Sequence, residues 1–193
     1  MDDRTPRSRS RSLPAGLVFA ALLCAAPGAA GDAPPFAART GLELASAAAQ
    51  SWSPDAQLVY VENDESVDAG GASARWGYLF YSRSEDRARV WSVRGGRIAA
   101  AENLDMRFDA PPVAAGWLDS GPALAAAEQG GGAAFRSAAK GAKLETMLLM
   151  RGAFSEGDPD VTTWTLVYRA PGAPSLFVVV DATNGKVQRT WRG

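Results

Sequence analysis

Trp76, Tyr78 and Phe80 alternate along one short run, and Trp164, Leu166 and Tyr168 sit in a matching run further down the chain. Alternation at period two puts side chains on one face of a strand, so each run predicts a strand with its aromatic face buried. A glycine turn follows each at nearly the same distance: Gly96 lies 20 residues after Trp76, and Gly185 lies 21 after Trp164. Upstream, Leu58 precedes Trp76 by 18 residues and Leu144 precedes Trp164 by 20. Two such agreements indicate one unit written twice. The period, about 88 residues, exceeds the roughly 20 to 50 of solenoid repeats, which points to an internal duplication of a small α+β unit.

In the first copy Leu42, Leu44, Ala45, Ala48 and Ala49 recur at helical spacing, predicting a helix from about Thr40 that Pro54 closes. Strands are expected at 56–62, 75–82 and 89–93, the last running into Arg94-Gly95-Gly96-Arg97. In the second copy Asp119 or Ser120 caps a short helix over 123–129, Gly130-Gly131-Gly132 breaks it, and 133–139 carries Phe135 inward. Three more strands are expected at 144–150, 162–169 and 176–181. Between the copies, 103–109 alternates as a half-exposed extra strand until Pro111-Pro112 stops it. The expected fold class is therefore α+β, two tandem helix-plus-antiparallel-sheet units at 31–112 and 113–193.

Residues 1–30 read as an export leader. Arg4, Arg7, Arg9 and Arg11 precede an apolar stretch over 13–26, then Pro27-Gly28-Ala29-Ala30, with cleavage expected after Ala30. About fourteen apolar residues fall short of the roughly 20 that span a bilayer as a helix, so no stable membrane insertion is expected after cleavage. Leu23 before Cys24 is too large for the usual lipid-attachment signal. Removing four of 20 basic and two of 21 acidic residues leaves a mature chain of net charge -3 without cysteine. The expected location is extracytoplasmic, periplasmic or secreted, with a core that holds without disulfides.

The chain has no histidine, which excludes Ser-His-Asp and Cys-His catalytic units and HExxH zinc helices. Its formal charge of -1, with no basic block beyond the leader, lacks the footprint of a phosphate-backbone binder, so nucleic acid is not an expected partner. Glu62, Asp64, Glu65 and Asp68 between the first two strands, and Glu156, Asp158 and Asp160 in the corresponding second-copy connection, read as solvated hairpin tips. Neither set has the spacing of a calcium loop. Lys140, Lys143 and Lys186 have no Ser-x-x-Lys partner, and 130–132 lacks the Gly-Lys-Ser/Thr that cradles phosphate. No catalytic residue, metal or cofactor is expected.

The stretch Trp164-Thr165-Leu166-Val167-Tyr168, followed by 175–187 with its Asp181-Ala182, Asn184-Gly185 and Lys186-Val187, resembles the closing hairpin of the PepSY domain. The alanine-rich helix with its glycines and Phe135 fits the same pattern. The resemblance covers about 116–189; the first copy keeps the tryptophan and glycine turn but has Ser92-Val93 where Asp181-Ala182 would fall. It implies a helix packed on a small antiparallel sheet, no catalysis, and a role in restraining peptidases. From the residues themselves, Asp181 is expected to accept backbone amides and Asn184-Gly185 to supply the positive φ of a type I′ turn.

With helices on one side of each sheet, the other side is expected to carry Gly77, Leu79, Tyr81, Trp91, Thr165 and Val167 as a partner-binding surface rich in aromatic anchors. The plainer reading is that these residues meet the linker strand or the other copy. The expected function is non-catalytic binding of a protein or peptide, with a peptidase as one such partner. The alternative is a small-ligand-binding or sensory envelope protein.

Overall fold

The computed structural model describes residues 33–104, 110–152 and 160–193; the expected leader, most of the expected strand at 103–109, and Glu156 and Asp158 lie outside the described residues. Helix α1 (Leu42–Trp52) is followed by β1 (Gln57–Asn63), β2 (Arg75–Ser82), β3 (Arg87–Arg94) and β4 (Arg97–Leu104). Helix α2 (Ser120–Ala127) is joined by a kinked turn (Glu128–Gly132) to α3 (Ala133–Ala138). After it come β5 (Lys143–Arg151), β6 (Thr162–Ala170), β7 (Ala173–Asp181) and β8 (Val187–Arg192).

All eight strands belong to one antiparallel sheet in the order β4-β3-β2-β1-β5-β6-β7-β8. This corrects the expected fold class: the molecule is one sheet with helices on one side, not two tandem helix-plus-sheet units. The join is β1 against β5, in the register Tyr60↔Met150, Val61↔Leu149 and Glu62↔Leu148. Two separate meanders would leave β1 and β5 as edges with free backbone donors and acceptors, and pairing them removes both edges. Which strand finds which partner across 86 to 90 residues is a non-local matter on which alternation is silent.

The join is short, and a side chain extends it. Asn63, 9% exposed, accepts the Met147 amide on Oδ1 at 2.6 Å and donates from Nδ2 to the carbonyls of Glu65 at 2.9 Å and Glu145 at 3.1 Å. One apolar core then runs beneath both helical segments, including Ala45, Ala49, Trp76, Trp91, Leu149, Trp164 and Val178. Residues 31–193 group as one compact unit.

As expected, the glycine triplet interrupts the second helix: Gly131 has non-helical angles, with φ 129°, and two helical segments meet across a kink there. The reason lies in the sheet below. A Cβ on Gly130 would come within 2.7 Å of Val187, and one on Gly132 within 2.5 Å of the Tyr168 ring, so only glycine lets this turn sit so close to the strands. Asp119 is the N-cap of α2, its carboxylate accepting the Ser120 amide at 2.8 Å.

Strand β4 was not expected, and of β8 only the hairpin turn that leads into it was. β4 contains Ala99-Ala100-Ala101, poor strand formers, and forms because the Gly95-Gly96 turn folds it along β3 with Arg94 opposite Arg97. β8 follows the turn after Asp181. There Asp181 accepts the Thr183 amide at 2.7 Å and the Asn184 side-chain amide at 2.9 Å. Gly185 has φ 75° but Asn184 lacks a positive φ, so the connection is wider than a type I′ turn; Asn184 Oδ1 instead accepts the Lys186 amide at 2.9 Å. Among the described residues no helix is long and apolar enough to cross a membrane.

Candidate functional site

Among the described residues no helix lies over the second face of the sheet, and register settles which side chains share it. One transverse row reads Ser92, Gly77, Glu62, Leu148, Thr165, Val179 and Arg189 from β3 across to β8. A neighbouring row contains Val90, Leu79, Tyr60 and Met150. Val59, Leu79 and Ala88 form a second small apolar cluster here, with Tyr60, Tyr81 and Ala110 against it.

Of the six residues expected to bind a partner, five lie on this face: Gly77, Leu79, Tyr81, Thr165 and Val167. Trp91 does not. It stands opposite Tyr78 and packs against Trp52 of α1 and Phe80, both at ring centroids of 5.5 Å, inside the helix-side core. Alternation within β3 is the same whichever way the strand faces, and only its register against β2 decides. Gly77, Leu79 and Thr165 are moreover buried, while Tyr81 and Val167 are half-buried. Other side chains of this face also reach solvent in part, among them Tyr60, Glu62, Leu148, Met150, Phe177 and Trp191, none of them singled out as a binding residue in the sequence. In β1 a bulge between Leu58 and Tyr60 breaks the alternation that would have marked Tyr60, and Trp191 lies in β8, beyond the hairpin residues read from the sequence.

The acids expected at hairpin tips divide. Asp68 is such a tip: exposed, with Oδ1 accepting the amides of Gly70 at 2.8 Å and Ala72 at 2.9 Å. Glu62 and Asp64 instead lie half-buried on the helix-free face. Tyr60 donates its hydroxyl to Glu62 Oε2 at 2.6 Å. Ser92 donates to Asp64 Oδ2 at 2.5 Å, and Arg75 Nε stands 3.3 Å from the same oxygen. Arg94 pairs with Glu65 at 3.4 Å. Gly77 makes room for this cluster, since a Cβ there would stand 3.0 Å from Asp64 Oδ1.

Burial raises the Glu62 carboxyl above its usual range; the Tyr60 hydrogen bond opposes this and the charge of Asp64 adds to it. Asp64 is likewise raised by burial, against the Ser92 bond and the Arg75 charge, with Glu65 adding to the rise. The Tyr60 phenol is raised too, first by burial and then by Glu62. Two acids and a tyrosine of raised pKa form an arrangement able to accept hydrogen bonds and cations. Ser92, 1% exposed and committed to Asp64, is out of reach of a substrate. At the far end of α1, Asp55 gathers Ser82, Ser53 and Ser84 around its carboxylate, which holds it well below the ordinary aspartate range and ties the helix end to the β2–β3 turn.

Near the exit of β4, a hollow of about 230 Å³ lies between Val59, Tyr81, Pro111 and Pro112. It is smaller than the ~300–1,000 Å³ usual for small-molecule sites. Asp160, the described member of the second acidic set, is exposed and 3.1 Å from Arg151. Among the described residues no group of three or more acidic, cysteine or histidine side chains is placed to hold a metal ion.

No family model matches the chain, so the PepSY resemblance rests on the residues quoted above. No curated protein matches it. Among solved structures it is similar to a candidate lipoprotein of Clostridium difficile 630, at 12% identity and a TM-score of 0.49, over 75% of this chain and 87% of that one. Likeness at that level carries no functional argument.

Proposed function

We propose that this chain is an exported, non-catalytic protein that binds a protein or peptide across the helix-free face of its sheet. The observation that carries the reading is the grouping of half-buried Tyr60, Leu148, Met150, Phe177 and Trp191 with the Glu62 carboxyl on a face over which, among the described residues, no helix lies. Large side chains of this kind dominate binding energy when a partner completes their burial. Export is supported by the order of charged, apolar and small residues over 1–30. Restraint of a secreted peptidase is the form of binding that the PepSY resemblance suggests.

The test is site-specific photocrosslinking in the native host. A benzophenone side chain at Leu148 or Val167 is expected to capture one defined protein, and the same probe at exposed Leu44 on α1 is not. Adducts of equal yield from all three positions, or none from the sheet, would refute the reading. The captured protein, if a peptidase, is then assayed with and without stoichiometric addition of this chain.

A further inference from the structure

The turn that joins β7 to β8 carries an inference that does not depend on the sheet face. We infer that Asn184 is a modification site, which deamidates spontaneously through the Gly185 amide at a rate set by how often the turn held by Asp181 opens. Of the chain's three asparagines, Asn63, Asn103 and Asn184, only the last precedes a glycine. A following residue without Cβ leaves its backbone nitrogen unhindered toward the asparagine side chain, so this pair is the one chemically disposed to react. Gly185 is required there for a second reason, since its φ of 75° lies in the left-handed region. The turn therefore carries the reactive pair as a condition of its shape.

The reaction needs water and nothing else. The Gly185 nitrogen gives up its proton and bonds to Asn184 Cγ, the Cγ–Nδ2 bond breaks, and ammonia leaves with the proton. Water then opens the resulting cyclic imide at either carbonyl, giving aspartate or isoaspartate. In the closed turn the groups this step must free are engaged. The Gly185 N–H donates to the Asp181 carbonyl at 2.9 Å, so its proton faces an acceptor too weakly basic to remove it. Asn184 Nδ2 donates to Asp181 Oδ2 at 2.9 Å and Oδ1 accepts the Lys186 amide at 2.9 Å, which fixes the side-chain amide at both ends. Asp181, 8% exposed, is braced in turn by the Thr183 amide at 2.7 Å and the Gln188 side chain at 3.1 Å. Attack waits for these bonds to open, and Asn184 is exposed, so water is at hand when they do.

The product cannot close the turn again. An aspartate at 184 has no N–H for Asp181 Oδ2 and sets a second carboxylate against it. An isoaspartate adds a methylene to the backbone between Asp181 and Lys186, whose amide and carbonyl meet at 2.8 Å at the entry to β8. Modification is therefore one-way. It loosens β8, and with it the Trp191 ring that stacks on Phe177 at 4.8 Å.

Peptide mapping by mass spectrometry, on full chain incubated at mildly alkaline pH, tests this. Asn184 is expected to deamidate about tenfold or more slower in the folded protein than in urea, with Asn63 and Asn103 unchanged over the same period. Asp181→Ala, its fold verified by protection of the Leu166 amide, is expected to raise the folded rate about fivefold and leave the rate in urea as it was. In the parent, deamidation and hydrogen exchange of the Gly185 amide are expected to rise together in urea below the unfolding transition, a reading that needs no variant. Asn184→Asp is expected to speed exchange of the Asp181 amide and not that of Leu166. Equal rates folded and in urea, a folded Asp181→Ala no faster than the parent, deamidation indifferent to Gly185 exchange, or an Asp181 amide unmoved by Asn184→Asp would overturn the inference. Failure of crosslinking at Leu148 would remove the face reading and leave all of these rates unaffected.

Discussion

Trp76 and Trp164 meet edge to face at the centre of the core, ring centroids 6.2 Å apart and planes at 70°. Each indole N–H donates to a carbonyl of the segment that leads into a helix, Trp76 to Phe36 and Trp164 to Leu118, both at 2.8 Å. The two tryptophans thus fix where each helical segment begins and bind the two sets of strands to each other. Trp117 adds a third ring against Trp164 at 5.7 Å, with the Arg39 guanidinium 5.0 Å over the Trp117 ring.

Trp76→Phe removes one buried donor bond and part of a ring. It is expected to lower stability by about 2 kcal/mol in urea titration. Because the rings touch, the double variant Trp76→Phe, Trp164→Phe is expected to depart from the sum of the singles by about 0.5 kcal/mol or more. Simple additivity would mean that the two residues act separately.

Asn63 substitutes for a ladder that β1 and β5 do not complete. Asn63→Ala strands the Met147 amide and two carbonyls in a nearly closed space, for an expected loss of about 3 kcal/mol. Hydrogen exchange at the Met147 amide should accelerate well beyond that at Leu166 in the centre of β6. If both amides change equally, the side chain is not what holds the seam.

How much of this was legible from the residues depends on the range of the interaction. Trp76-Tyr78-Phe80 and Trp164-Leu166-Tyr168 announced their strands because burial against a helix layer imposes period two locally. The pairing of Tyr60 with Met150 did not announce itself, because it joins segments far apart and is marked by no turn. Trp91 shows the same limit within a hairpin, where one residue of register exchanges the two faces. β4 went unseen because three alanines carry little strand preference and the hairpin supplies what they lack. The acids Glu62 and Asp64 looked like loop residues because charge is usually solvated, whereas here Tyr60, Ser92 and Arg75 receive it on a strand face.

Asp55 and Glu62 are expected to move acid stability in opposite senses. The folded pKa of Asp55 lies below its ordinary 3.8, so its contribution is present above that pH and is lost as pH falls toward the folded value. Asp55→Asn should therefore be less stable than the parent at pH 7, with the gap closing in acid. Glu62 is raised above 4.5, so its ionisation opposes folding as pH rises through that window. Glu62→Gln, which keeps an acceptor for Tyr60, should be more stable at pH 7, its advantage vanishing below pH 4.5. Thermal denaturation of both variants between pH 3 and 8 reads the two slopes, and slopes of the same sign would contradict this assignment.

The kinked glycine turn over 130–132 gives the sharpest steric prediction. A methyl on Gly132 would stand 2.5 Å from both the ring carbon and the hydroxyl of Tyr168, whose hydroxyl donates to Glu128 at 2.8 Å within the same turn. Neither partner can yield without loss, because moving the ring breaks that bond and moving the helix opens the layer above β6. Gly132→Ala is therefore expected to lower stability by about 2 kcal/mol, the usual scale of overpacking. In a Tyr168→Leu background the ring is gone, and the same alanine should lower stability by less than half as much. A penalty unchanged by that second substitution would place its origin in the backbone of the turn and not in its approach to the sheet.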